Sequence, residues 1–209
     1  MRLPQLSSKW QVSLLLTSWL IFATFLLPLL QQSLLAHLFV AIPGLIFFGY
    51  VMGRTILPEP CIIAKWNQTG IPMMLLASLL FIFWMIPRFV DTSIQQQSLY
   101  LLKIFSLTFL CGLPLAWSLK KVSYITFNFF RIEFIATLFR MTWLFMTAKE
   151  RLCINYLYSE QALVGKTFLI LAILFSVWPA TRVVFGQHKE STQKLKQEYS
   201  HAKEHTRFC

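Results

Sequence analysis

Acid is scarce in this chain. Aspartate and glutamate together number 8 among 209 residues, against 19 lysines and arginines, and charged side chains of both signs reach only 13%. Soluble globular domains carry about 25% charged residues, so that class is excluded, and a mean hydropathy of +0.61 points to lipid as the surrounding solvent. Glu133 is the one acid inside an apolar segment. A ladder of carboxylates for moving protons or ions is therefore missing, which speaks against a dedicated transporter.

Other absences narrow the chemistry. Cys61, Cys111, Cys153 and Cys209 show no CxxC or zinc-type spacing and read as unpaired thiols. No phosphate-cradling glycine loop, zinc motif or nucleophile–base pair stands in the sequence, so an enzyme is not expected. The net charge of +11 would suggest nucleic acid in a soluble protein. Here the basic residues sit at the ends of apolar runs and in the C-terminal tail, as topology determinants and anionic-lipid contacts do. Membrane lipid is the expected partner and nucleic acid is not.

What the chain has is apolar length. Six segments stand out, at residues 10–30, 34–57, 71–90, 99–119, 122–148 and 163–185, each near the ~20 residues that cross a ~30 Å hydrocarbon layer. The expected fold is all-α: an integral membrane bundle of about six transmembrane helices over 1–185, followed by a basic cytoplasmic tail at 186–209. Arg2 and Lys9 precede the first segment, but its apolar run is too long for a signal peptide and no small-x-small site follows. It reads as a retained helix. Lysine and arginine set the orientation. Arg2, Lys9, Arg54, Lys65, Lys120, Lys121 and the tail fall on one side, and only Arg88, Lys149 and Arg151 on the other. Both termini are then cytoplasmic, in a bacterial inner membrane.

The fifth segment carries "FNFFRIEFIATLFRM", residues 127–141, with Arg131, Glu133 and Arg140 within about 8 Å of the midplane of a centred helix. Each such charge facing lipid costs about 2.5–3.5 kcal/mol. Glu133 and Arg140, seven residues apart, share a face and are expected to turn inward, bonded to other helices or water as an internal polar network. Arg131 is expected to snorkel toward the cytoplasmic surface.

The same topology gathers His37, Trp84, Met85, Pro87, Asp91, Tyr100, Lys103, Met141 and Met146 at the outer face. One imidazole among thioethers is a soft set for Cu(I), with His37 and Met85 the candidate ligands. In the tail, His201, His205 and Cys209 recur every fourth residue. They read as part of a basic segment near anionic lipid rather than as a metal site.

Four stretches resemble the CtaG-type cytochrome c oxidase assembly proteins: "HLFVAIPGLIFFG" (37–49), "FWMIPRFVDTSI" (83–94), "LKIFSLTFLCGLPLAW" (102–117) and "YLYSEQALVGKTFLILA" (156–172). The matching positions are His37, then Trp84, Pro87 and Asp91, then Ser106, then Glu160, Gln161 and Gly165. The resemblance implies a non-catalytic inner-membrane factor that assists haem–copper oxidase assembly in the respiratory chain. That role would involve copper delivery at the periplasmic face or contact with oxidase subunits. The alternatives are a metal-free accessory subunit of a membrane complex and, third, a small transporter. Met85 follows Trp84, and Tyr100, Lys103 and Ile104 stand where family members commonly carry histidines. The resemblance thus implies fold and process more strongly than metal chemistry.

Overall fold

A computed structural model describes residues 8–148 and 152–205, with side-chain surroundings for residues 10, 12–148 and 152–181. Lys149 and Arg151 lie outside the described residues, as do Cys209 and the side chains of His201 and His205. Among the described residues every regular element is helical: α1 Ser8–Ile21, α2 Leu27–Leu30, α3 Leu34–Ala36, α4 Ile42–Thr55, α5 Cys61–Trp66, α6 Ile71–Met85, α7 Pro87–Gln95, α8 Gln97–Phe105, α9 Leu113–Ser118, α10 Tyr124–Thr147 and α11 Tyr158–His205. Four helical stretches are long and apolar enough to cross a membrane: Val12–Leu30, Leu34–Thr55, Gln97–Ser118 and Tyr158–Thr181. A fifth exists if the bent pair α6 and α7 counts as one.

That pair corrects the expectation of one helix over 71–90. Proline disfavours the α conformation in the residue before it, and Ile86, which precedes Pro87, is extended at φ −66°, ψ 124°. The chain turns there by 73°. α7 then presents Pro87, Val90, Asp91 and Ser93 to the protein and leaves Arg88 and Gln95 exposed. Proline acts differently inside the long helices. Three π-helical turns, Phe22–Leu26, His37–Ala41 and Ser106–Gly112, each end two residues before a proline: Pro28, Pro43 and Pro114. A helical proline clashes with the carbonyl four residues back, here Thr24, Phe39 and Leu110, and each of these lies inside a widened turn. The helical stretch continues past each proline because the wider turn makes room for the ring.

The helices meet closely where side chains are smallest. A Cβ on Gly49 would sit 1.9 Å from the Thr108 carbonyl oxygen, and one on Gly112 would sit 2.7 Å from Gly49 Cα. α4 and the π turn before α9 therefore touch backbone to backbone. In lipid, where apolar burial drives little, such packing is what holds helices together.

The bundle has two distinguishable ends. At one, Glu59 bridges Lys121 at 2.5 Å, Asn67 Nδ2 donates to Glu59, and Trp117 Nε1 donates to the Leu57 carbonyl. Gly70, at φ 75°, turns the chain there within a Cβ's reach of Ser118 and Val122. At the other end lie Gln31, His37, Asp91, Lys103 and Tyr156. α10 joins the two ends, since Ser123 caps its first turn beside the Glu59 cluster and the segment beyond its last turn bonds to Asp91. It runs antiparallel to α11: the Tyr158 hydroxyl reaches the Ala148 carbonyl, Phe145 stacks on Phe168, and Phe134 meets Phe175 edge-on. Core packing is uneven along the axis. The main buried cluster, including Leu34, Leu45, Trp84, Leu107, Phe145 and Phe168, belongs to the His37 half, while the cluster in the Glu59 half is small, built on Met52, Leu113 and Trp117.

Candidate functional site: a buried array around His37

His37 opens the second π turn, and that widened geometry aims its ring between α8 and the loop before α11. Both ring nitrogens are engaged. Nδ1 lies 2.9 Å from the Tyr156 hydroxyl and Nε2 lies 3.0 Å from Lys103 Nζ. The Tyr156 hydrogen is committed to the Gln31 carbonyl at 2.8 Å, so the hydroxyl oxygen accepts from Nδ1–H. Nε2 is then the acceptor, and Lys103 donates to it. Lys103 also donates to Ser93 Oγ at 3.0 Å, and Ser93 passes its own hydrogen to the Val90 carbonyl at 2.7 Å. One tautomer of His37 satisfies every distance, and the bonds run in one direction. His37 and Ser93 are fully buried, and Lys103 is 1% exposed.

A second tier fixes the loop that delivers Tyr156. Asp91 accepts from the backbone N–H of Ile154 and of Asn155 at 3.2 and 3.0 Å, and the Asn155 amide returns a bond to the Asp91 carbonyl. Gln161, 1% exposed, accepts from Leu152 N–H and donates to the Cys153 carbonyl, both at 3.1 Å. Between these two clasps, Cys153 is buried with its thiol 3.7 Å from the Pro87 carbonyl. Burial, and after it the Asp91 carboxylate, pushes that thiol up to about 12. The Tyr156 phenol is likewise held above its ordinary value, by burial first and then by Cys153, Asp91 and Glu160. Both groups keep their hydrogens, which the bonding pattern requires.

The remaining motif positions pack around this array. Trp84 Nε1 donates to Ser106 Oγ at 2.8 Å, and Ser106 donates to the Lys103 carbonyl at 3.2 Å, which steadies the turn that carries Lys103. Pro87 starts α7. Gly165 lets α11 close on Phe145 and Met146 of α10. Glu160 stands half-buried in the first turn of α11. Met85 is buried in the main core. Tyr100 bonds to the Ala23 carbonyl at 3.0 Å, with Lys103 Nζ 5.5 Å above its ring.

As a copper site the array does not fit. Both imidazole nitrogens already hold protein partners, and one of these is a lysine amine. Among the described residues no group of three or more His, Cys, Asp or Glu comes together to hold a metal ion. Nor does the array pass protons along, because its terminal acceptor, the Gln31 carbonyl, is an amide oxygen with no hydrogen to hand on. What it does is order one end of the bundle through a chain of directed bonds from Lys103 through His37 and Tyr156 to Gln31 and through Ser93 to Val90.

Glu133 and Arg140 lie elsewhere. Arg140 reaches back seven residues, and its Nη1 meets Glu133 Oε1 at 2.5 Å, with side chains 63% and 38% exposed. The pair is internal to α10, with Arg140 exposed and Glu133 half-buried beside the space between α4, α6 and α11. The expectation that both turn into the bundle and bond to other helices is corrected: χ directions on a helix favour reaching toward the N-terminus, which closes the gap along one face. Arg131 is half-buried. Its Nη2 is buried and has no hydrogen-bond partner among the described residues.

Tyr156, Ser93 and Gln31 are the members of the array that sequence reasoning missed. Tyr156 stands in the quoted stretch "YLYSEQ", but nothing in its spacing points to His37.

Together, fold and array define a class: an all-helical protein with four to five membrane-length spans and a buried polar cap at one end. No protein-family model, curated protein or solved structure matches the chain.

Proposed function

We propose that this is a multi-pass protein of a bacterial inner membrane, crossing it about six times with both termini cytoplasmic, and that it assists haem–copper oxidase assembly as a non-catalytic accessory factor. One observation carries the reading. The positions picked out by resemblance to CtaG-type proteins come from four separate stretches. His37, Trp84, Pro87, Asp91, Ser106 and Gln161 nonetheless meet in one bonded unit. A set of motifs that converges this way behaves as a single device.

The six-span topology rests on α10 as an added crossing. α10 carries three charges, Arg131, Glu133 and Arg140, yet two of them neutralise each other. It also runs alongside a span for about 21 Å of its own length, from the Ala148–Tyr158 contact to the Phe134–Phe175 contact, at 1.5 Å per residue. Arg54, Lys65, Lys120 and Lys121 then share the Glu59 end, as a cytoplasmic side requires. The His37 end faces the periplasm and, with its nitrogens engaged, serves as a rigid docking platform without copper.

The test is purification of the tagged full chain from its host in mild detergent, with oxidase subunits and copper both quantified. Oxidase subunits retained by wild type and lost with Asp91→Ala, without stoichiometric copper, support the proposal. Stoichiometric copper lost on His37→Ala replaces it with copper delivery. A deletion strain with normal oxidase and no subunit captured overturns it.

A further inference from the structure

The thinly packed half of the bundle encloses a cavity of about 1170 Å³. α4, α6, α9, α10 and α11 all contribute walls, among them Phe47, Tyr50, Phe81, Leu115, Phe130 and Leu174. The volume exceeds the ~300–1,000 Å³ of ordinary small-molecule sites. Phe47, Phe127 and Leu174 on its rim are exposed, so it opens sideways, toward lipid. The lining is almost wholly hydrocarbon, with one unresolved charge. Arg131 stands in the wall with Nη2 buried and unbonded. Glu133 lines the same cavity, but its carboxylate is taken by Arg140. It does not neutralise Arg131. At the rim toward the Glu59 end, the Tyr50 hydroxyl accepts from Arg54 Nη1 at 3.0 Å, which adds a second guanidinium, and Leu119 leads directly to Lys120 and Lys121. Lys121 is paired with Glu59.

We propose that this groove binds one anionic phospholipid, its phosphate on Arg131 and its acyl chains along the phenylalanine and leucine walls. A buried guanidinium hydrogen without a partner leaves an uncompensated site whose natural complement is a phosphate oxygen. Arginine's planar fork suits that group better than any other side chain. Basic pockets between transmembrane helices hold acidic headgroups for the same reason. Charge separates this occupant from a zwitterionic lipid, and the depth of Arg131 within the groove separates it from loosely held boundary lipid. The inference depends on the membrane class of the protein and not on the oxidase role, so either can fail alone.

The experiment reconstitutes the full-length protein into vesicles of equal parts phosphatidylglycerol and phosphatidylcholine. The protein is then extracted into detergent, and retained lipid is counted by native mass spectrometry. Wild type keeps one phosphatidylglycerol in preference to phosphatidylcholine by about tenfold or more, the ratio that 1.4 kcal/mol of differential binding produces. Arg131→Gln abolishes the preference, and Arg131→Lys keeps part of it. Ser78→Phe fills the groove from α6 while leaving every charge in place, and it removes the retained lipid altogether. Should Arg131→Gln fail to fold, Ser78→Phe decides alone. Equal retention of the two lipids by wild type overturns the proposal. So does a preference that survives Arg131→Gln, or retention unchanged in Ser78→Phe.

Discussion

The two ends of this bundle treat polar groups in opposite ways. At the His37 end, lysine, histidine, tyrosine, serine, aspartate and glutamine are buried, and hydrogen bonds link lysine, histidine, tyrosine and serine into one array. The apolar core is densest around them. Toward the Glu59 end, one partly exposed ion pair joins Glu59 to Lys121, the core cluster is small, and a groove with an unpartnered arginine nitrogen remains. The difference teaches that order in a membrane protein need not follow hydrophobicity. Apolar side chains are plentiful in both halves, and the better-packed half is the one whose polar groups dictate a single arrangement. A satisfied polar network specifies geometry in a way that interchangeable leucines in lipid do not.

Thiol reactivity gives the sharpest contrast. Cys61 is exposed on α5 near the Glu59 end, and Cys153 is buried between two clasps. In detergent at pH 8, Cys61 should react with maleimide at least about a hundredfold faster, because Cys153 must wait for the loop to open. Comparable rates would show that the clasp does not hold. The pH dependence has a definite sign. The folded thiol is raised from 9.0 to about 12, so its contribution to stability is complete below pH 9 and is lost as pH climbs from 9 to 12. Thermal unfolding midpoints should fall across that window, and less steeply in Cys153→Ala.

Glu133→Gln comes next. With α10 crossing the bilayer, it strands Arg140 in hydrocarbon and destabilises the protein in lipid vesicles by about 2.5 kcal/mol; Glu133→Gln with Arg140→Gln recovers most of that. A change under about 1 kcal/mol would mean the pair faces water and α10 does not span. Asp91→Ala frees two backbone N–H groups and should lower unfolding free energy by about 2 kcal/mol. An effect no larger than that of a surface substitution would remove Asp91 from the clasp. A double-mutant cycle of His37→Ala and Lys103→Met should give a coupling of about 1.5 kcal/mol, and additivity would break the array at its centre. The smallest effect belongs to the other end. Glu59→Gln, which loses a partly exposed bridge to Lys121, should change stability by less than about 1 kcal/mol.

Much of the architecture was legible in composition. Long apolar runs with little acid specify membrane-length helices, and the structure is all-helical with several such spans. The break at Ile86 was legible too, since proline's effect on its predecessor is local chemistry, but the apolar run across 71–90 masked it. Within the site, Asp91 and Gln161 stand out through short motifs, whereas their work does not. They bind backbone N–H and carbonyl groups, which every residue carries, so sequence holds no trace of the partner. Tyr156 is hidden for a different reason. Its contact with His37 spans 119 residues, and tertiary packing together with the Asp91 and Gln161 clasps brings the two together. The Glu133–Arg140 pair, expected to bond to other helices or water, closes on itself because the arginine stem lies back along the helix across an axial gap of some 10 Å.

The three widened turns before Pro28, Pro43 and Pro114 carry an evolutionary consequence. Each accommodates one residue more than a regular α-turn, so everything beyond it is rotated by roughly 100° relative to an uninterrupted helix. A lineage that lost one of these prolines together with one neighbouring residue would regain a plain helix with the far face in the same register. Deleting one residue within such a turn, with its proline replaced, is thus expected to keep the far face of the helix in place, whereas the same deletion in a regular turn would rotate it away.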